Sequence, residues 1–271
     1  MVIPVLSSVK KIEKQYETGE RPVLVMCSDL NAYICKYKHS SNAAYKLVCE
    51  FVGAQMASAW QLKTPEIAFI NIKSNHSNNR VPKCALSVPS LGYKLLKGVV
   101  DINSSNYIDV CTTTSVIRQL MKIALFDYWI ANEDRNVNNA NLLYDVRHGR
   151  LISIDYGCVL NNADFDGGMS LLTSNESILS SDLFQHISLG KDMRMIDSII
   201  DELSMFFEAC INRCKRRKSF LLENIPEEWG VPKIYVENKI GQLLDDCWCR
   251  EVWVYFVENV KDNIDNGKFE I

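Results

Sequence analysis

The sequence predicts an α+β fold in which a small strand-rich part precedes a larger, mostly helical one. Three observations carry this. Short runs rich in Val, Ile and Tyr crowd the first hundred or so residues; apolar residues at helical spacing dominate from Ser115 onward; and one hairpin, Asn141 to Ile154, interrupts the helical part. The boundary is expected near residues 90–108, with a first unit at 1–100 and a second at 101–271.

The apolar start Met1 to Leu6 soon meets Lys10, Lys11, Glu13 and Lys14, so it reads as a first strand rather than a leader. Arg21 to Lys38 reads as two strands, Val23 to Met26 and Tyr33 to Tyr37, joined by the polar turn Ser28-Asp29-Leu30-Asn31. From Ala43 to Leu62, the residues Leu47, Val48, Phe51, Val52, Met56 and Trp60 recur near a period of 3.6, and Thr64-Pro65 stops the helix they predict. Glu66 to Ile72 reads as a third strand, Lys73 to Asn79 as a surface loop and Lys83 to Val88 as a fourth strand. Gly92 to Asn106 carries no clear pattern. Ser115 to Ala131 is a buried helix that delivers Asn132-Glu133-Asp134 into a loop, and Asn141 to Tyr144 with Leu151 to Ile154 make the hairpin. Asn161 to Gly190 is Ser- and Gly-rich and reads as a long loop with short helical pieces. Helices follow at Met193 to Glu223, Ile234 to Asp245 and Cys247 to Asn263.

With 271 residues, 47% hydrophobic and 23% charged, the chain is neither disordered nor a collagen-like or coiled-coil rod. Thirty Lys and Arg against 33 Asp and Glu leave a net charge of −3, so no global basic field draws it onto nucleic acid or an anionic membrane. No apolar stretch is long enough to span a bilayer. Ten scattered cysteines read as reduced thiols of a cytoplasmic protein, and Cys210 with Cys214 and Cys247 with Cys249 lack the spacing of a zinc site. Asp164 to Gly168 reads as a surface turn, Ser170 to Ser181 as a solvated loop, and the basic run around Arg213 and Lys215 to Lys218 as a solvated helix end.

Chemistry concentrates in two motifs, Asp134-Arg135-Asn136-Val137-Asn138-Asn139 after a buried helix and Asp155-Tyr156-Gly157 after a hairpin strand. Phosphoryl transfer needs a carboxylate to orient the attacking hydroxyl, an Asn and an Asp to hold metal, and a cation on the α/β-phosphates. Asp134 suits the first role. Asn139, five residues on, and Asp155 suit the second if the hairpin folds back beside the loop. Lys36, mid-strand between Cys35 and Tyr37, suits the third, with Glu50 on the next helix to hold its ammonium. Lys38 shares its strand face and Lys46 lies near, and Lys36 is preferred.

These residues resemble the HipA-like kinases, a branch of the protein-kinase-like superfamily. Phe126 to Arg135 is similar to that family's helix and Asn-x-Asp-Arg loop, Asn139-Ala140-Asn141-Leu142-Leu143 to its metal-binding Asn and strand, and Ile154 to Gly157 to its metal-binding Asp. Arg21 to Val25, Tyr33 to Tyr37, Glu50 and Leu62 to Glu66 resemble its nucleotide lobe, and Ile225 to Trp229 a late segment of its compact members, so the likeness covers roughly residues 20–230. The resemblance implies a bilobal protein-kinase-like fold, ATP and Mg²⁺ as cofactors, and a Ser/Thr acceptor on a protein substrate. It assigns Asp134, Asn139 and Asp155 to catalysis, Asn139 and Asp155 to metal, and Lys36 and Glu50 to the nucleotide.

Two departures keep a second reading open, a non-catalytic kinase-fold module that binds a protein partner. No Gly-x-Gly-x-x-Gly lies between the first strands, so phosphate contacts fall to Thr18-Gly19 or to Ser40-Ser41-Asn42 at a helix start. Asn136 stands where many relatives place a histidine.

Overall fold

Alternation decides which way the first two long strands face. In β3 (Val23–Met26) Val23 and Val25 are buried, in β4 (Ala32–Lys36) Tyr33 and Cys35 are, and the pairing Val23↔Cys35 and Val25↔Tyr33 brings these side chains to one face. The computed structural model describes residues 2–78 and 81–266; the expectations that fall on Met1, Asn79 and 267–271 lie outside them. Six strands form the first sheet in the order β1-β5-β6-β4-β3-β2, with β1 at Val5–Ser7, β2 at Lys14–Gln15, β5 at Ile67–Asn71 and β6 at Ser90–Lys94.

One face of this sheet covers a small core of Val23, Val25, Tyr33, Cys35, Ala68 and Ile70, closed by Val81 and Ala85. The other lies against α1 (Ser41–Ala59). The strand expected at Lys83 to Val88 is instead a 3₁₀ turn, Lys83–Leu86, bracketed by Pro82 and Pro89, and it helps to close that small core. The strand that pairs is β6, at the edge of the stretch without a clear pattern. Gly92 interrupts its apolar signal because Ile70 and Tyr33 leave no room there for a side chain.

A second sheet, β7-β8-β9, joins β7 (Val100–Asp101) to the hairpin β8 (Leu142–Asp145) and β9 (Arg150–Ser153). Buried α2 (Thr114–Ile130) leads into it, capped at its start by the Thr113 hydroxyl. After the hairpin comes a short turn, α3 (Val159–Ala163), in which Leu160 to Ala163 all take left-handed backbone angles. The long loop then holds 3₁₀ turns and α4 (Asp182–Ser188), as its composition suggested. The helices α5 (Met193–Asn224), α6 (Lys233–Leu243) and α7 (Asp246–Asn266) complete the chain. No helix among the described residues is long and apolar enough to cross a membrane, and all ten cysteines are free.

The two parts are joined by more than a linker. Trp60, at the end of α1, stacks on Trp129 of α2 at 5.2 Å and meets Phe126 and Phe207. The basic run of α5 is only partly a solvated helix end. Arg213 Nε donates to the Ala59 carbonyl at 2.6 Å and an Arg217 Nη1–H to that of Gln55 at 3.2 Å, so two cations satisfy the last turn of α1 and face the negative end of its dipole. Trp229, from the far end of the chain, is fully buried between Phe51 of α1 and Phe69 of β5, and its indole N–H donates to the Pro89 carbonyl at 2.7 Å.

Trp229 is thus a plug that fixes α1 against the sheet. Trp229→Ala is expected to cost about 3–5 kcal/mol of stability, the usual price of an aromatic cavity, read as a lower denaturant midpoint. A variant with the wild-type midpoint would show that this contact does not hold the two parts together.

Candidate active site

Lys36 closes β4 with its ammonium on the α1 side of the sheet, where it donates to Glu50 Oε1 and, at 2.8 Å, to Asp155 Oδ1. Glu50 is fully buried and also accepts from the Tyr93 hydroxyl on β6 and, at 3.0 Å, from the Tyr156 N–H. The approach of the Asp155 segment to α1 depends on Gly53, one turn beyond Glu50 on the same helix face. A side chain at Gly53 would overlap the Tyr156 ring. Asp155 itself has a left-handed backbone, with φ of 59°, which turns its carboxylate back toward Lys36.

The electrostatics of this trio follow from burial and contact. Burial opposes the charge on Lys36, but Glu50 first and Asp155 second outweigh it and raise the ammonium pKa. Burial also opposes ionisation of Asp155, yet the Lys36 charge and several hydrogen bonds hold its carboxyl below the usual range. Burial pushes Glu50 up to about 7, with Lys36 pulling the other way. Of the two carboxyls on Lys36, Asp155 therefore carries the firmer negative charge.

The loop bearing Asp134 leaves α2 through Ala131, a left-handed residue with φ of 52°. Its anchor is Arg135. The guanidinium is fully buried and donates to Asp127 of α2, to Ser153 Oγ at 2.6 Å and to the Ile154 carbonyl at 3.0 Å. Asn132 adds a bond to the same Asp127 oxygen at 3.0 Å. One buried cation, next to Asp134 in the chain, thus grips the residue next to Asp155.

Asn139 and Asn141 take different places. Asn139 is exposed, and its main chain pairs with that of Asn136 in a tight turn. Asn141, with φ of 44°, donates its side-chain amide to Asp134 Oδ2 at 2.9 Å, while its carbonyl accepts from the Ile154 N–H at 3.1 Å. Asn141 therefore touches Asp134 and adjoins the Asp155 segment at once. Motif spacing pointed to Asn139; the signal for Asn141 is its position immediately before the apolar strand Leu142 to Tyr144, where hairpin register sets it across from Ile154. Asn136 braces its own loop, donating to the Glu133 carbonyl at 2.9 Å and accepting from the Asn138 N–H at 3.0 Å.

A cleft of about 1080 Å³ opens between the first sheet and the helical part. Lys36, Glu50, Asp134, Asn139, Asn141 and Asp155 line it. Thr18 and Gly19 also line it, whereas Ser40 turns its hydroxyl to cap α1 by accepting from the Ala43 N–H. The cleft joins a fixed cation, carboxylates and an apolar wall that includes Ile34 and Leu143, a combination suited to a phosphorylated ligand with a flat base.

A family model described as HipA-like kinase matches residues 9–247. No curated protein matches by sequence. Among solved structures, the crystal structure of the Helicobacter pylori proinflammatory kinase CtkA aligns with a TM-score of 0.57 and 13% identity, over 93% of this chain and 99% of that one. That likeness shows the fold. The open conformation of CtTel1 aligns at a TM-score of 0.28 and 9% identity, over 94% of this chain and 12% of that one, too distant to carry an argument.

Because the folded pKa of Asp155 lies below its unfolded value of about 3.9, its contribution to stability is present above that pH and is lost as pH falls through the folded value. Asp155→Asn is expected to flatten the acid limb of a thermal-stability profile below about pH 4. Parallel acid limbs in the two proteins would contradict the Lys36–Asp155 pair.

Proposed function

The chain belongs to the HipA-like kinase family, and from that premise we propose that it is an ATP- and Mg²⁺-dependent phosphotransferase acting on a Ser or Thr hydroxyl of a protein. The observation that carries this reading is Lys36, bonded to both Glu50 and Asp155 in a cleft that Asp134 also lines. Family membership supports the protein acceptor.

Ile34 shares a strand face with Lys36, and Leu143 lines the same cleft, so the base is proposed to lie between these apolar side chains with its phosphates toward Lys36. Lys36 neutralises α/β-phosphate charge, and Glu50 keeps its ammonium aimed while Tyr93 and the Tyr156 N–H keep Glu50 in place. Asp134 accepts a hydrogen bond from the acceptor hydroxyl, turning an oxygen lone pair toward the terminal phosphorus, and takes the proton as the P–O bond to the departing ADP breaks. Its other oxygen contact, the Asn141 amide, fixes the carboxylate for this task.

No group of three or more His, Cys, Asp or Glu among the described residues could hold a metal alone. A site with one carboxylate and an amide oxygen suits Mg²⁺, which usually keeps few protein ligands and shares the rest with phosphate and water. Asp155 is the proposed carboxylate, and Asn141, whose amide nitrogen is engaged and whose oxygen is left to coordinate, joins Asn139 as a candidate for the second ligand. When bound, the ion offsets charge on the β- and γ-phosphates.

With γ-labelled ATP and Mg²⁺, Asp155→Ala is expected to abolish label transfer to the protein or to an extract. Asp134→Asn is expected to keep nucleotide-induced stabilisation and to lose transfer by roughly 10²- to 10⁴-fold. Wild-type stabilisation without any transfer would favour the non-catalytic module. In the same assay Asn141→Ala should impair transfer more than Asn139→Ala, and the reverse order would return the metal role to Asn139.

A further inference from the structure

Lys46 stands four residues before Glu50 on α1, so the two side chains leave the same face of the helix and enter the same cleft. Glu50 reaches inward to Lys36. Lys46 lies further out, where its ammonium pairs with Glu20 Oε1 at 3.3 Å. Glu20 belongs to the segment Thr18-Gly19-Glu20, which links β2 to β3 and lines the cleft from above. His39 is its other partner, at 3.6 Å.

We propose that Lys46 is a second phosphate-binding cation, held by Glu20 in the free protein and passed to the terminal phosphate of the nucleotide when it enters. This rests on the nucleotide reading given above. Lys36, bonded to Glu50 and Asp155 at the inner end of the cleft, is assigned to the α/β-phosphates, and the Asn136 amide is neutral, so a positive charge for the terminal phosphate must come from another residue. Lys46 lines the same cleft as Asp134, the residue placed at the transferring phosphoryl group, and leaves α1 one turn outward from Glu50. Its ion pair with Glu20 leaves both side chains about a third exposed, 36% and 31%, so exchanging it for a phosphate costs little.

The test is a comparison of Mg·ATP with Mg·ADP, by titration calorimetry on the full chain, for the wild type, Lys46→Met, Lys46→Arg and Glu20→Gln. Lys46→Met is expected to weaken ATP by about tenfold while changing ADP less than about twofold, the signature of one lost charge-assisted contact to the terminal phosphate. Lys46→Arg should retain most of the ATP preference, and Glu20→Gln, which removes the competing carboxylate, should tighten ATP. Equal losses for both nucleotides, or none for either, would overturn the assignment of Lys46 while leaving the nucleotide site standing. A wild-type protein that binds neither nucleotide would overturn both.

Discussion

Arg135 is a buried guanidinium shared among three elements, and the position of both candidate carboxylates depends on it. Its bonds to Asp127, Ser153 and the Ile154 carbonyl clamp α2, the loop and β9 together. Asp134 precedes it in the chain and Asp155 follows its last acceptor. Desolvating an Arg–Asp pair consumes most of what the pair returns, and apolar replacements of such pairs are often neutral. Stability alone is therefore a weak reason for this arrangement. Directionality is a better one: a fork of fixed N–H groups sets angles between segments that an apolar contact would leave loose.

The second constraint is on α1, which carries Glu50 and Lys46. Its end is held by Arg213 and Arg217 from α5, its outer flank by Trp229, and its middle by the Tyr156 ring set against Gly53. Each of these partners lies in the helical part, so the helix that presents Glu50 to Lys36 is positioned from across the cleft. The Lys36–Glu50 pair is thus held by packing on both sides of α1. In the proposed nucleotide site this pair aims the phosphate-anchoring lysine, and packing keeps it aimed.

Much of this was legible in the sequence. Runs of β-branched and aromatic residues marked β3, β4 and β5, and helical periodicity marked α1, α2 and the three last long helices, because each of these elements buries apolar side chains in a core. Lys36, Glu50, Asp134 and Asp155 were legible from residue type and order, and the fold brings all four to one cleft. What escaped detection depends on three-dimensional neighbours. β6 was hidden because its central residue is a glycine chosen by the packing of Ile70. Asn141 was overshadowed by Asn139 because register with Ile154, not spacing from Asp134, brings an amide to the carboxylate. The basic run of α5 read as solvated because sequence alone does not show that another helix ends beneath it. Arg135 stood inside the motif, but its burial and its three acceptors come from segments up to nineteen residues away.

The central claim is that the cleft between Lys36 and Asp134 holds a nucleotide with its phosphates on the Lys36 side. A crystal structure with Mg²⁺ and a non-hydrolysable ATP analogue tests it most directly. The expected result is α/β-phosphate oxygens within hydrogen-bond distance of Lys36 Nζ, and a metal ion reached by the Asp155 carboxylate. A nucleotide bound outside this cleft, or one whose phosphates leave Lys36 in contact with Glu50 and Asp155 alone, would contradict it.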